Sequence, residues 1–395
     1  MPKFNSYFVN SGSIQSVLFL ILSFFMLNTY GQQEADNPWY ADKLLRIYHP
    51  NMRNWEVTGF DVEKFVNDCV SVNAEAIVVN AGGIYSYYPS KIEYHNPNSL
   101  LGGRDLFGEI CEEAKKRDLK IIARFDFAGA TTELSELYPE WFHTNKDGSF
   151  ESHRGTQSRF STTPTGGYHN VELAHKVLLE LIDKYEISGI HLNGPVFDGI
   201  SYYRVSMDKY GSFLQGDMYS NPEMAHEFNS WRQSVVEGMI LDYRRILHKK
   251  DENILIMAEI AGAESPGWAY NKGFDNYRLS HAFTNLLLTT GRMSEGLYRF
   301  RYWIGLSAEM AHAARPDFPP IINLKVPTYG YTDFQKPVEE YKYYCYQAIA
   351  HNAGLKLPTY GMLQTQKDTR SKEMVSSIFT YMKRREEFAV NPKKI

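Results

Sequence analysis

The segment KIIARFDFAG, residues 120–129, places two charged side chains at the end of an otherwise apolar run. Ile121 and Phe125 suit a buried strand, because strands covered on both faces are rich in branched and aromatic residues. Arg124 and Asp126 stand two residues apart, so in a strand they project to the same face. A strand that brings a charged pair to its carboxyl end predicts a polar site at that end.

Similar apolar segments recur along the chain and alternate with amphipathic ones such as residues 171–186. We predict eight strands, at residues 44–49, 76–83, 120–126, 189–194, 254–260, 276–282, 320–326 and 354–361. Eight strands, each followed by a helix, predict an α/β fold of the (β/α)8 TIM barrel class. A doubly wound sheet is the alternative, but no G-x-G-x-x-G fingerprint follows the first strand.

The first 31 residues have the pattern of a signal peptide. Lys3 precedes the apolar run at 16–27, and small residues between Thr29 and Gly31 offer a cleavage site. The run is shorter than the roughly 20 residues that a membrane span needs. We therefore expect an exported protein, periplasmic or extracellular, with residues 32–395 forming one barrel domain without integral membrane association. An uncleaved amphipathic anchor is the alternative.

The composition limits the classes of partner. The net charge of −4 argues against a nucleic acid partner, whereas 28 tyrosines among 14% aromatic residues suit a cleft that binds sugars. The three cysteines are widely spaced, and the 12 histidines form no H-E-x-x-H motif. We therefore expect no disulfide framework, no metal site and no cofactor.

The carboxyl ends of barrel strands converge around one mouth, where barrel enzymes build their sites. The polar residues at the predicted strand ends are His49, Asn80, Arg124, Asp126, His191, Asn193, Glu259, His281, Lys325, Lys356 and Tyr360. Trp141, on the loop after the third strand, either stacks on a sugar ring or packs at the mouth. An internal ion pair is the structural alternative for Arg124 and Asp126.

The carboxylates of this group favour glycoside hydrolysis, which generally uses one carboxylic acid and one carboxylate. Glu259 is the candidate general acid, because the apolar neighbours Met257 and Ile260 favour its protonated form. Asp126 and Asp198 compete for the second role, and Arg124 beside Asp126 favours an ionised carboxylate there. No G-x-S-x-G motif supports a serine nucleophile.

Three stretches between about Arg46 and Gly194 carry a family resemblance: YYPSKIEYHNPNSLLGGRDLFGEICEEAKKRDLKIIARFDFAG, LYPEWFHTNKDGSF and KYEISGIHLNG. They resemble family 6 of the hypothetical glycosyl hydrolases, which implies a secreted (β/α)8 protein related to α-L-fucosidases and β-galactosidases. Fucosidase-like barrels end the fourth strand in an aspartate nucleophile, whereas this chain has Asn193, whose amide can only hydrogen-bond a hydroxyl. The resemblance also leads us to expect an acidic residue where His281 stands.

Together these observations predict an exported glycoside hydrolase that cleaves poly- or oligosaccharides, with Glu259 as acid and Asp126 or Asp198 as its partner. A carbohydrate-binding barrel that has lost its nucleophile is the second interpretation. An exported structural or interaction protein that uses the barrel as a scaffold is the third.

Overall fold

The computed structural model describes residues 38–155, 157–164, 173–195, 197, 201–202, 220–263, 266–290, 302–324, 337–365 and 368–386. The predicted signal peptide and the predicted site residues Asp198 and Lys325 lie outside these ranges. Everything below concerns the compact unit that begins at Trp39.

Eight parallel strands form the centre of the fold. They are β1 (Arg46–Asn51), β2 (Ala76–Gly83), β3 (Lys120–Asp126), β4 (Gly189–Leu192), β5 (Leu255–Ala258, continued by Ile260–Ala261), β6 (Leu287–Thr290), β7 (Ile321–Leu324) and β8 (Gly354–Tyr360). Each strand pairs with its chain neighbours, and β1 pairs with β8. The first part of β5 pairs with β4 and the second with β6, which closes the sheet. The predicted (β/α)8 barrel is confirmed.

Eight helices of seven or more residues surround the described part of the barrel. They are α1 (Val62–Ser71), α2 (Leu106–Lys115), α3 (Ala174–Lys184), α4 (Pro222–His248), α5 (Asn276–Ala282), α6 (Trp303–Ala314), α7 (Val338–Ala350) and α8 (Arg370–Lys383). Asp61, Asp105 and Asn221 cap the amino ends of α1, α2 and α4 by accepting hydrogen bonds from backbone N–H groups. Among the described helices, none is long and apolar enough to cross a membrane.

The prediction of a sixth strand at residues 276–282 was wrong, because this segment is the helix α5. The side chain of Asp275 accepts hydrogen bonds from the N–H groups of Tyr277 and Arg278, and this cap starts a helix. Leu279 and Ala282, three residues apart, bury one face of that helix. The sixth strand is the following apolar run, β6.

The barrel interior changes from apolar to polar along its axis. Nearer the amino ends of the strands, side chains of alternate residues form one apolar cluster that includes Ile47, Val78, Ile122, Met257, Leu287 and Ile321. Two residues farther along each strand, on the same face, stand polar residues. The packed interior therefore supports a polar layer at the carboxyl ends.

The connection after β3 folds back over the mouth. Strand β2 contains a register shift between Asn80 and Gly82, and Gly83 adopts φ +113°. A side chain at Gly83 would place its Cβ 2.1 Å from the carbonyl oxygen of Asp126, so only glycine allows this approach. Beyond β3, an antiparallel hairpin pairs Gly129–Thr131 with Arg159–Ser161 and returns Arg159 to the mouth.

Candidate active site

The polar layer of the barrel consists of side chains from every strand. Its members are His49, Asn80, Arg124, Asp126, His191, Asn193, Glu259, Thr289, Asn323 and Lys356. The sequence analysis predicted all of them except Thr289 and Asn323. The available signal was the period of two, which places Asn323 on the same face as the buried Ile321.

Glu259 lies at the centre of a hydrogen-bonded group that we call the Glu259 network, formed by Glu259, Lys356, Asn323 and Thr289. The ammonium group of Lys356 donates to Oε1 of Glu259 at 2.8 Å and to Oδ1 of Asn323 at 3.2 Å. Asn323 in turn donates through Nδ2 to Oγ1 of Thr289 at 3.0 Å. Lys356 is fully buried, and its charge favours the ionised carboxylate of Glu259. The local charge thus opposes the protonated Glu259 that its apolar sequence neighbours suggested.

Asp126 is held by neighbours on two strands. Asn193 donates through Nδ2 to Oδ2 of Asp126 at 2.6 Å, and the N–H of Ala128 donates to Oδ1 at 3.3 Å. Nη2 of Arg124 lies 3.8 Å from Oδ2, so the two charged residues of the segment 120–129 that end β3 form an ion pair. These contacts favour an ionised Asp126, as the sequence suggested.

Asp126 and Glu259 flank Asn193 at the mouth. The register of β3, β4 and β5 aligns these three residues side by side, one position beyond the last paired residues of β4. Since adjacent strands lie about 4.8 Å apart, the backbones of Asp126 and Glu259 are about 10 Å apart.

Two buried histidines lie below the carboxylates. The ring centroids of His49 and His191 are 5.7 Å apart, and Nε2 of His191 lies 3.8 Å from Oε1 of Glu259. Burial lowers the pKa of both imidazoles well below the usual range, and the charge of Lys356 lowers both further. Both histidines are therefore neutral at pH 7.

A cleft of about 220 Å³ opens beside Asp126, at the carboxyl ends of β1, β2 and β3. We call it the arginine cleft, because Arg53, Arg124 and Arg159 line it together with Tyr85 and Asp126. Arg124 donates through Nη1 to Oδ1 of Asn80 at 3.3 Å. The guanidinium of Arg159 lies 5.7 Å from the ring centroid of Tyr85.

The other predicted site residues lie elsewhere. Trp141 is 2% exposed and stacks on Tyr138, with ring centroids 4.1 Å apart, so its role here is packing. Tyr360 ends β8 opposite Asn51, and the structure describes only its backbone. His281 is exposed on α5 and precedes the amino end of β6, so it is remote from the mouth. Its prediction as a site residue relied on the strand that proved to be a helix.

Comparisons with known proteins agree with the family resemblance. The sequence profile of a family described as hypothetical glycosyl hydrolase 6 matches residues 61–194, which include β2, β3 and β4. This match confirms the resemblance that the motifs between Arg46 and Gly194 indicated. A comparison with curated protein sequences gives no match.

Solved structures with the same barrel include several glycosidases. Alpha-L-fucosidase isoenzyme 2 from Paenibacillus thiaminolyticus superposes with a TM-score of 0.65 at 14% identity over 88% of this chain and 50% of its own. The PgaB (BpsB) glycoside hydrolase domain from Bordetella bronchiseptica gives 0.66 at 11% identity over 85% and 98%. Beta-galactosidase from Bacillus circulans sp. alkalophilus gives 0.63 at 11% over 88% and 57%. The chain thus spans about half the length of the fucosidase, and at these identities the likeness is one of fold.

Proposed function

We propose that this protein is a glycoside hydrolase that cleaves glycosidic bonds in poly- or oligosaccharides. The observation that carries the proposal is the alignment of Asp126, Asn193 and Glu259 at the carboxyl ends of neighbouring barrel strands. Glycoside hydrolysis uses carboxyl groups at this end of a barrel, one of them ionised, and Glu259 is the candidate for that ionised group. The family profile and the structural likeness to glycosidases support the same reaction class.

In this proposal Glu259 works in its ionised form, as the nucleophile or the base. Lys356 keeps it ionised by a hydrogen bond to Oε1, and the neutral His191 lies 3.8 Å from the same oxygen. Arg124 and Asn193 likewise keep Asp126 ionised, so that it binds sugar hydroxyls. The proton for the leaving oxygen then comes from Asp198, the third carboxylate that the sequence suggests.

A carbohydrate-binding barrel without catalysis is the second candidate. The observation in its favour is that Glu259 and Asp126 both contact cationic side chains, so neither is set up as the protonated acid. Asn193 at the end of β4 also leaves that strand without the aspartate nucleophile expected from the resemblance to fucosidase-like barrels. Such a protein would bind the same saccharides and release no sugar.

The rates at which the parent and two variants release sugar test the roles of Glu259 and Asp198. The parent, Glu259→Gln and Asp198→Asn are incubated with natural oligosaccharides and with aryl glycosides, fucosides and galactosides foremost, and the released sugar is quantified. We expect Glu259→Gln to lose about 10³-fold or more on both substrate types. Asp198→Asn should lose far more on oligosaccharides than on nitrophenyl glycosides, because a good leaving group needs little protonation.

Glu186→Gln serves as the control, because this exposed glutamate pairs with Lys115 on the outside of the barrel. Its hydrolysis rates should equal those of the parent. Equal loss on both substrate types in Asp198→Asn would remove Asp198 as the acid. Binding of oligosaccharides by the parent without release of sugar would favour the second candidate.

We also propose that the protein is exported after cleavage near Gly31, on the pattern of its first 31 residues. Expression of the full chain in a bacterial host, followed by Edman sequencing of the protein outside the cytoplasm, tests this. The mature chain should begin near Gln32. Recovery of chains that begin at Met1 in the membrane fraction would indicate the uncleaved anchor instead.

A further inference from the structure

The arginine cleft contains more positive than negative charge. Arg53, Arg124 and Arg159 line it, and Asp126 is the one acidic residue among its lining residues in the described chain. Asp126 already accepts a hydrogen bond from Asn193 and pairs with Arg124. Within the described residues, Arg53 and Arg159 form no ion pair with a carboxylate.

All three guanidinium groups have a donor without a partner. The Nε atoms of Arg53, Arg124 and Arg159 are buried, and each lacks a hydrogen-bond partner among the residues that the structure describes. Buried polar groups are normally hydrogen-bonded, and like charges that share a cleft repel each other. Three cations around a single carboxylate of the described chain leave this cleft with an excess of positive charge, which indicates a ligand that carries negative charge.

The arrangement selects an anion rather than a sugar hydroxyl. A guanidinium group offers parallel N–H donors that match the two oxygens of a carboxylate or the oxygens of a sulfate. Aromatic rings lie against two of the three arginines, since Arg159 packs over Tyr85 and Arg53 over Trp55. These contacts restrict the movement of both guanidinium groups.

We propose that the arginine cleft is a subsite for a sugar ring that carries an anionic group, either a carboxylate or a sulfate ester. The inference deepens the proposed function, because it names an acidic saccharide as the substrate of the same mouth. Asp126 lines the cleft and also flanks Asn193, so the anionic ring lies next to the carboxylate pair. Binding of the anion does not depend on whether Glu259 is catalytic.

Isothermal titration with three matched probes tests the subsite: galactotriose, a galacturonic acid trisaccharide and a 6-sulfated galactose trisaccharide, at 20 mM and 300 mM salt. We expect at least one anionic probe to bind more tightly than the neutral one by about tenfold or more, with a smaller difference at high salt. The probe that binds more tightly distinguishes a carboxylate from a sulfate. Equal affinity for all three probes, or no binding by either anionic probe, overturns the proposal.

Variants locate the binding. Arg159→Gln, at the edge of the hairpin, should weaken binding of the anionic probe about tenfold and leave the neutral probe unaffected. Arg53→Lys keeps the charge but loses the parallel donors, so a smaller loss is expected. Arg245→Gln removes the same charge from an exposed pair with Asp242 and is the control. Equal affinities in Arg159→Gln and Arg245→Gln overturn the assignment to this cleft.

The two proposals fail in different ways. If anionic probes bind in the cleft and are not hydrolysed, the subsite is supported and the proposed hydrolysis is contradicted. If a neutral oligosaccharide is hydrolysed and binds as tightly as its acidic counterpart, the proposed hydrolysis is supported and the subsite is contradicted.

Discussion

The two sides of the barrel mouth differ in how their buried charges are paired. In the Glu259 network, the charge of Lys356 meets a carboxylate and an amide oxygen within 3.2 Å. In the arginine cleft, Arg124 alone of the three arginines pairs with Asp126, and each of the three retains an unpartnered Nε among the described residues. Both groups occupy the same end of one barrel. In the Glu259 network the buried charges pair with each other without a ligand. In the arginine cleft a ligand would supply the missing negative charge.

The largest expected effect on stability comes from breaking the Glu259 network. Lys356→Met leaves the carboxylate of Glu259 in a buried site without its cation, and removal of one partner from a buried pair costs about 3 kcal/mol. Urea unfolding of the parent and the variant measures this free energy. The double variant Lys356→Met/Glu259→Gln should recover part of the loss, because it no longer buries an unpaired charge.

Lys250→Met provides the matched control for this prediction. Lys250 pairs with Asp183 on the surface, where both side chains are about half exposed, so its loss should cost less than about 1 kcal/mol. A loss in Lys356→Met as small as that in the control would show that the Glu259 network does not stabilise the fold. The contrast between the two sides of the mouth would then disappear.

The second effect is a dependence of stability on pH, which comes from the histidines below the mouth. Burial, Lys356 and Arg124 lower the pKa of His49, so the unfolded chain binds a proton that the folded chain excludes. The contribution of His49 to the free energy of unfolding is therefore fully present above the ordinary histidine pKa of about 6.5. Below that pH it falls by about 1.4 kcal/mol per pH unit. His49→Gln should remove this contribution between pH 6.5 and 5.

Urea unfolding of the parent, His49→Gln and His191→Gln at half-unit steps from pH 7.5 to 5 measures the effect. The difference in unfolding free energy between parent and variant should be constant above about pH 6.5 and shift in favour of the variant below it. If the unfolding free energies of parent and variant changed in parallel with pH through the whole range, the fold would not be keeping the imidazole neutral. Carboxyl groups titrate mainly below about pH 5, so a difference between parent and variant that changes within the measured range can be assigned to the histidine.

The smallest effect is expected in the arginine cleft. Arg159→Gln should change the unfolding free energy by less than about 0.5 kcal/mol, because the residue is half-buried and its guanidinium pairs with no carboxylate in the described chain. Thermal unfolding without ligand checks this. A loss of several kcal/mol would mean that Arg159 supports the hairpin rather than a ligand, and the two sides of the mouth would then resemble each other.

Most of the barrel could be predicted because its strands are apolar and its helices amphipathic. The strands at 76–83 and 120–126 were predicted with their exact bounds, since both are almost continuously apolar. The segment 276–282 failed as a strand because it contains no β-branched residue, and Asp275 directly before it is a preferred residue for the cap of a helix. A local signal decided this element, and it pointed to a helix.

The candidate site could be predicted as a set of residues but not as a set of contacts. The period of two identifies which side chains face inward, and it placed Asp126, Asn193 and Glu259 at one mouth. It does not say which strands face each other across the barrel. The pairing of Lys356 with Glu259, 97 residues apart, therefore required the structure, and this contact favours the ionised form of Glu259 rather than the protonated form that its sequence neighbours suggested.

The change of partner within β5 has a mechanical consequence. Glu259 stands where the strand leaves β4 and joins β6, and the described β5–β6 register comprises two residue pairs, against seven between β2 and β3. A joint with so few backbone hydrogen bonds opens more readily than the β2–β3 joint, so its amide hydrogens exchange sooner with solvent than those of β2 and β3. Lys356, on β8, donates a hydrogen bond to Glu259 at this joint. The carboxylate that we assign to the chemistry is thus held, at a joint with few backbone hydrogen bonds, by a side chain from another strand.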